Sequence, residues 1–321
     1  MRRDELKIFD SEAVASGLDY PGCIRIVSEA MQALSAGRTK QLLRTMIHMG
    51  EGRTFAQMPG ALADDDMFGA KMISVFPDPA RPGSRRHRGV VMLFEPDEGR
   101  PVCIADAEEI THIRTAAATA VGTDALARPD AKTLLLVGTG GQVRTHLQAL
   151  PLVRDFDRIL IWGRHPEKAQ AIADEEGARV AVPIAVAYDL QTACGEADVI
   201  CTLTGAKEPL VFGDWIRPGT HVNLVGSSGP GPVEVDTPLV AKSRFIADSR
   251  ASALDAAAEF LVAREAGAVS DDHIVAEIGE VLLGQIEGRR TAEEITIYKS
   301  LGHAVQDLAA TAHLYRSAPE Q

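Results

Sequence analysis

Between Cys23 and Leu34, the apolar residues Ile24, Val27, Met31 and Leu34 recur three or four apart. That spacing predicts an amphipathic helix, with Gly37 placed just past its end. From Arg44 to Ala105 the pattern changes. Short apolar runs (MFGAKMISVF, GVVMLFEP, RPVCIAD) are separated by Pro, Gly and Asp, which predicts a mixed α+β unit with several strands. An alanine-rich helix is expected over 108–126, ending at the short linker ARPDAK. From Lys132 onward apolar runs alternate with helical patterns. Strands are expected over 133–137, 158–162, 180–184, 199–202, 221–225 and 245–247, with helices between them, for example over 166–175 and 191–196. Alternation of this kind predicts an α/β fold, a parallel sheet with helices on both faces. Near the end, TAEEITIYKSLGHAVQDLAATAHLY places Thr291 and Glu294 at capping-box spacing. The stretch reads as one long amphipathic helix that returns to pack on the N-terminal domain.

Length and charge narrow the class. The chain has 321 residues, enough for two cores. It is 45% hydrophobic and 24% charged, with 45 acidic against 33 basic residues and a net charge of −12. This balance argues against nucleic acid or an anionic membrane as a partner, and an anionic substrate would need a local cluster of cations. No apolar run is long enough to span a bilayer, and MRRDELKIFD has no apolar signal core, so a cytoplasmic protein is expected. The 4 cysteines form no CxxC and read as reduced core thiols. No HExxH or Cys/His cluster suggests a metal.

LLLVGTGGQV supplies the first chemistry. Gly138, Thr139, Gly140, Gly141, Gln142 and Val143 follow a buried-type strand and open a helix, the context that a dinucleotide-binding turn requires. The first glycine allows the tight turn, and the second lets backbone amides approach a pyrophosphate at a helix N-terminus. Val143 stands where the fingerprint has Gly or Ala. The following strand ends in Gly163, Arg164 and His165 rather than in the carboxylate that holds the ribose of NAD. Arg164 suits a 2′-phosphate, but an arginine can also cover an adenine, so NAD(H) and NADP(H) both remain open.

Several stretches in order along the chain together resemble the ornithine cyclodeaminase/mu-crystallin family: FAQMPG, GAKMIS, GVVMLFEPDEGRPVCIADAEEITHIRTAAATAV, GTGGQV, ADVICTLT, PGTHVNLVGSSGPGPVEVD, ADSR and KSLGHAVQDLAA. The resemblance implies a homodimer. It implies a substrate-binding and dimerisation domain over 1–118 plus 302–321, and a Rossmann dinucleotide-binding domain over 119–301. It also implies a nicotinamide cofactor and a small anionic imino or amino acid substrate. Arg44, Lys71 and Arg114 match the family's substrate-binding positions. Such cations can hold an α-imino carboxylate in place, the guanidinium groups as bidentate donors and the lysine as a point charge able to give a proton. Lys71 and Arg114 are therefore the expected catalytic residues, with Met58 as pocket wall. Thr115, Thr202, Leu203, Thr204, Val225, Gly226, Ser227 and Gly302 are expected at the cofactor by the same resemblance.

Two departures from the family shape the expected activity. Ser228 occupies the position where cyclodeaminases carry an aspartate, and a serine cannot supply carboxylate base chemistry at neutral pH. This favours imine reduction over ammonia release from ornithine. His87-Arg88 stands where the family often has His-Gln, preceded by Arg85 and Arg86. Either this is a solvated basic loop, or His87 and Arg88 bind a second substrate carboxylate, which would make iminosuccinate the substrate and L-aspartate the product. A cyclodeaminase, and a non-catalytic protein that binds a ligand with NAD(P), are the rival readings.

Overall fold

The computed structural model describes residues 6–79 and 85–318. It divides into two compact units, Met1–Thr115 with His303–Gln321, and Ala116–Gly302. No helix among the described residues is long and apolar enough to cross a membrane.

The first unit contains β1 (Lys7–Phe9), α1 (Ser11–Gly17), α2 (Tyr20–Ser35), β2 (Lys40–Gln41), β3 (Thr45–His48), β4 (Thr54–Ala61), β5 (Phe68–Pro77), β6 (Arg85–Phe94) and β7 (Pro101–Asp106). Helix α2 starts where Asp19 accepts from the Gly22 amide, with Pro21 in the first turn, and Gly37 follows its end at φ 70. Among the described residues the sheet runs β1-β7-β6-β5-β4-β2, with β3 also on β4. Among the described residues only its β1–β7 pair is parallel. Helix α3 (Ala107–Leu126) is continuous across the boundary between the units.

The second unit is built from β8 (Thr133–Val137), α4 (Gly141–Ala149), β9 (Arg158–Trp162), α5 (Pro166–Glu176), β10 (Ile184–Val186), α6 (Leu190–Glu196), β11 (Val199–Thr202), β12 (His221–Leu224), α7 (Thr237–Lys242), β13 (Arg244–Ala247), α8 (Arg250–Ala256), α9 (Ala258–Glu265), β14 (Ile274–Glu277), α10 (Ile278–Leu282) and β15 (Thr296–Lys299). All neighbours in its sheet pair in parallel, in the order β10-β9-β8-β11-β12-β15-β13-β14. β8, β11, β12 and β15 are buried at every position, as strands covered on both faces must be. Strand order reverses between β8 and β11, the place where open α/β sheets bind ligands at their C-terminal edge.

The long C-terminal helix expected from 291 onward is corrected. Residues 296–299 form β15, and the helix is α11 (Ala304–Ser317), which belongs to the first unit. The Thr291 hydroxyl does accept from the Glu294 amide at 3.2 Å, but the bond closes a turn. The helix is opened instead by a capping box between His303 and Gln306. Strand β10 also lies later than the expected 180–184. Helix α11 packs on α2 and on β4, β5 and β6, so one face of the first sheet is covered.

Candidate active site

The ladder register places Met58, Lys71, Val91 and Ala105 side by side across β4, β5, β6 and β7. Pairing partners share a face, and all four are buried. Lys71 is thus an ammonium in an apolar row, 3% exposed, and it has to find partners. Its Nζ donates to Asp307 Oδ1 at 2.9 Å and to Thr111 Oγ1 at 2.6 Å. Arg114, one turn after Thr111 on α3, donates from Nε to the same Asp307 oxygen at 2.9 Å and from Nη1 to Gln306 Oε1 at 2.8 Å. Its Nη2 has no recorded partner among the described residues, which leaves that edge for a ligand.

The cluster holds Lys71 and Arg114 against a single carboxylate, so its balance is positive. Burial pulls the Lys71 pKa down. Asp307 offsets part of that, while Arg114 and Arg44 add to the depression, and the result is about 8. Burial pushes the Asp307 carboxyl up, but Arg114 and Lys71 outweigh it and hold the carboxyl below its ordinary value. Asp307 Oδ2 is buried and has no hydrogen-bond partner among the described residues. Sequence reasoning missed Asp307 and Gln306 as site residues. The available signal was a charged and an amide side chain within the apolar helix AVQDLAATAHL.

The structure does not bring the basic strand to this cluster. Lys71 pairs with Val91, whereas Arg88 pairs with Ser74, so strand alternation puts Arg88 on the opposite face from Lys71. Arg86 pairs with the buried Asp78 at 2.8 Å. His87 shares the Lys71 face but sits beside Val75, four residues along β5, or about 13 Å away at strand rise. The Arg85 side chain lies outside the described residues.

In the second unit the glycine turn is built for close approach. Gly138 has φ 142, and a Cβ there would stand 2.8 Å from the Leu203 carbonyl oxygen. The Gly138 amide donates to the Trp162 carbonyl at 2.8 Å, which ties the turn to the end of β9. A Cβ on Gly163 would fall 2.4 Å from Thr139 Cγ2, so a larger residue there would have to turn the Thr139 side chain aside. Gly140 caps α4 with no side-chain bond, and the space around it is open. The helix N-terminal amides are therefore available to a phosphate, and the residues fit a dinucleotide. Gly141 and Gln142 start α4, and Val143 is fully buried. Arg164 and His165 are exposed just past β9. Thr202 ends β11 and Leu203 and Thr204 follow it, and Val225, Gly226 and Ser227 follow β12, all at the C-terminal edge. Ser228 is exposed in the next loop, and Gly302 adopts φ 80. Thr115 is buried in α3, at the end of the first unit. Among the described residues no group of three or more His, Cys, Asp or Glu is placed to hold a metal.

These elements recur in known proteins. Residues 7–321 match the ornithine cyclodeaminase/mu-crystallin family. The chain is 35% identical to a Δ1-pyrroline-2-carboxylate reductase of Bacillus cereus over 300 residues, 93% of this chain and 92% of the relative. It superposes with a TM-score of 0.92 on the Thermococcus litoralis Δ1-pyrroline-2-carboxylate reductase in complex with NADH and L-proline. Identity there is 30%, and 97% of each chain is covered. The iminosuccinate reductase of Paracoccus denitrificans in complex with NAD+ gives a TM-score of 0.90 at 27% identity, over 98% of this chain and 96% of that one. The cation cluster and the glycine turn thus sit in a chain that belongs to the ornithine cyclodeaminase/mu-crystallin family.

Proposed function

We propose that this protein is an NAD(P)H-dependent imine reductase that converts a small α-imino carboxylate, such as Δ1-pyrroline-2-carboxylate, to the L-amino acid. The observation behind this reading is the buried cluster in which Asp307 binds both Lys71 and Arg114. The free edge of Arg114, with Arg44, holds the substrate carboxylate, and their rigid placement fixes where the imine carbon lies. The reduced nicotinamide, when bound, supplies a hydride to that carbon. Lys71 Nζ supplies the proton for the imine nitrogen: with a pKa of about 8 it is charged at neutral pH, yet more acidic than an ordinary lysine. Thr111 and Asp307 fix the direction of that proton.

Reduction of a monocarboxylic imine is favoured over iminosuccinate, because Arg88 faces away from Lys71. Ser228 in place of a carboxylate disfavours the cyclodeaminase reading. The decisive assay follows NADH and NADPH absorbance with Δ1-pyrroline-2-carboxylate, and with oxaloacetate or pyruvate plus ammonia. Turnover of the cyclic imine is expected. Release of ammonia from ornithine without reduction of any imine would overturn the reading, and binding of ligand without turnover would favour a carrier.

The protein is also proposed to be a homodimer. The face of the first sheet opposite Lys71 carries Ile8, Ile47, Phe68 and Phe76, which are 73%, 61%, 36% and 38% exposed. Exposed Gln57 and Arg88 lie between these apolar residues on the same face, so it combines apolar and polar groups as an interface does, and a second copy of the chain is the partner proposed.

A further inference from the structure

Glu234 is fully buried in the second unit, on the segment that follows the β12 loop. Its Oε1 accepts from the Thr204 amide at 2.7 Å and the Thr204 hydroxyl at 2.8 Å. Its Oε2 accepts from the Thr202 hydroxyl at 2.8 Å, the Gly226 amide at 2.9 Å and the Ser227 amide at 3.3 Å. One carboxylate therefore binds the loops after two adjacent strands, one oxygen mainly to each. A second buried pair backs it. Lys299, at the end of β15, donates to Glu259 Oε2 at 2.8 Å and to the Ser227 carbonyl at 2.6 Å, while Glu259 Oε1 accepts from the Glu234 amide at 3.2 Å. Lys299 and Glu259 are 0% exposed at their side chains. At Gly226 a Cβ would stand 2.1 Å from the Thr204 carbonyl oxygen, so the two loops touch backbone to backbone.

We propose that Glu234 is a positioning residue that sets the spacing of the Thr202–Thr204 and Gly226–Ser227 loops for the nicotinamide half of the cofactor. The inference rests on the dinucleotide reading above. In a doubly wound sheet the first strands serve the adenosine half and the strands across the reversal serve the other half, which here are β11 and β12. Stability alone does not require this construction. Buried ionic groups are often no better than apolar ones, but a carboxylate shared by two loops fixes the distance between them. Three of the donors are backbone amides, which cannot reverse roles. A glutamine can satisfy one loop only, and its amide then opposes an N–H of the other.

The test compares Glu234→Gln, and Glu234→Asp, which keeps the charge but is one methylene shorter, with the parent. The readouts are the dissociation constants of NADH and NADPH by fluorescence titration, amide exchange at Gly226 and Ser227 without nucleotide, and melting temperature. Glu234→Gln should weaken the better nucleotide about tenfold or more, and Glu234→Asp, too short to bind both loops, several-fold. Amide exchange at Gly226 and Ser227 should quicken in Glu234→Gln. If Glu234→Gln does not fold, Glu234→Asp decides. A lower melting temperature with an unchanged dissociation constant would overturn the proposal and leave Glu234 a packing residue. If the parent binds neither nucleotide, it is the dinucleotide reading that fails.

Discussion

Lys71 Nζ lies 2.9 Å from Asp307 Oδ1, across 236 positions of sequence, and Arg114 Nε lies 2.9 Å from the same oxygen. Neither cation is set by local sequence alone: β5, α3 and α11 must all be in place before the cluster exists. Asp307 thereby controls both how charged Lys71 is and where Arg114 points.

The first prediction concerns pH. If Lys71 gives the proton, kcat/KM for the imine should fall as pH rises through about 8, because only the charged form can give it. Asp307 is the group that raises the Lys71 pKa, so Asp307→Asn should move that fall to lower pH and lower the rate at pH 8. Stability has its own sign. The folded Lys71 value lies below the ordinary 10.5, so the unfolded chain binds more protons between about 8 and 10.5. The contribution of Lys71 to stability therefore rises with pH through that window and is least favourable below it. A pH–rate profile with the same upper limb in Asp307→Asn as in the parent would remove Lys71 as the donor.

Arg114→Lys keeps the charge but loses the planar fork that reaches Asp307 and Gln306 together. The expected loss in kcat/KM is about 100-fold, or about 2.7 kcal/mol, the scale of a charged positioning contact. Steady-state kinetics on the folded variant check this. Near-parental turnover would mean that charge alone suffices and that geometry at Arg114 is irrelevant.

Much of this was legible in sequence, for reasons that differ by element. β8, β9 and β11 were found because short apolar runs are bounded by turn residues and followed by helical patterns. β15 was not found. Ile295, Ile297 and Tyr298 lie in a stretch buried on both faces, so no polar side marks its period, and the Thr291–Glu294 spacing imitates a helix start. Lys71 and Arg114 stood out as cations among apolar and small residues. Asp307, Glu234 and Lys299 did not, because most of their partners lie on other elements and a single charged residue in such a stretch reads as an ordinary solvent-facing position. Arg88 misled for a related reason: composition places it next to the substrate strand, but only the ladder register tells which face it occupies.

The exposed sheet face gives a test of assembly. Ile47 is 61% exposed, and its cross-strand partner Phe55 continues the same apolar face. In the proposed dimer, Ile47→Glu buries an unpaired charge and should shift the protein from dimer to monomer in light scattering after size exclusion. Within one chain Ile47 is mostly exposed, so the fold and its circular dichroism should be retained. A parent that is monomeric at micromolar concentration would dispose of the dimer.

The last prediction concerns the cofactor. Arg164 is exposed after β9 and has no ion-pair partner among the described residues, and neither Gly163 nor His165 offers a carboxylate to a ribose 2′-hydroxyl. A free guanidinium beside the adenosine half fits a 2′-phosphate bidentately. The parent is therefore expected to prefer NADPH. A charge-assisted bond of about 1.5–3 kcal/mol corresponds to at least about tenfold in affinity. Arg164→Ala should lose that increment for NADPH and leave NADH nearly unchanged. Arg164→Asp should go further and reverse the preference, since a carboxylate repels the phosphate and accepts from the ribose hydroxyls. Residue 164 is the first exposed side chain after β9, which puts this choice on Arg164. The measurement is the ratio of kcat/KM for the two cofactors at fixed ionic strength, because exposed charges are screened by salt. An unchanged ratio in both variants would show that Arg164 only covers the adenine.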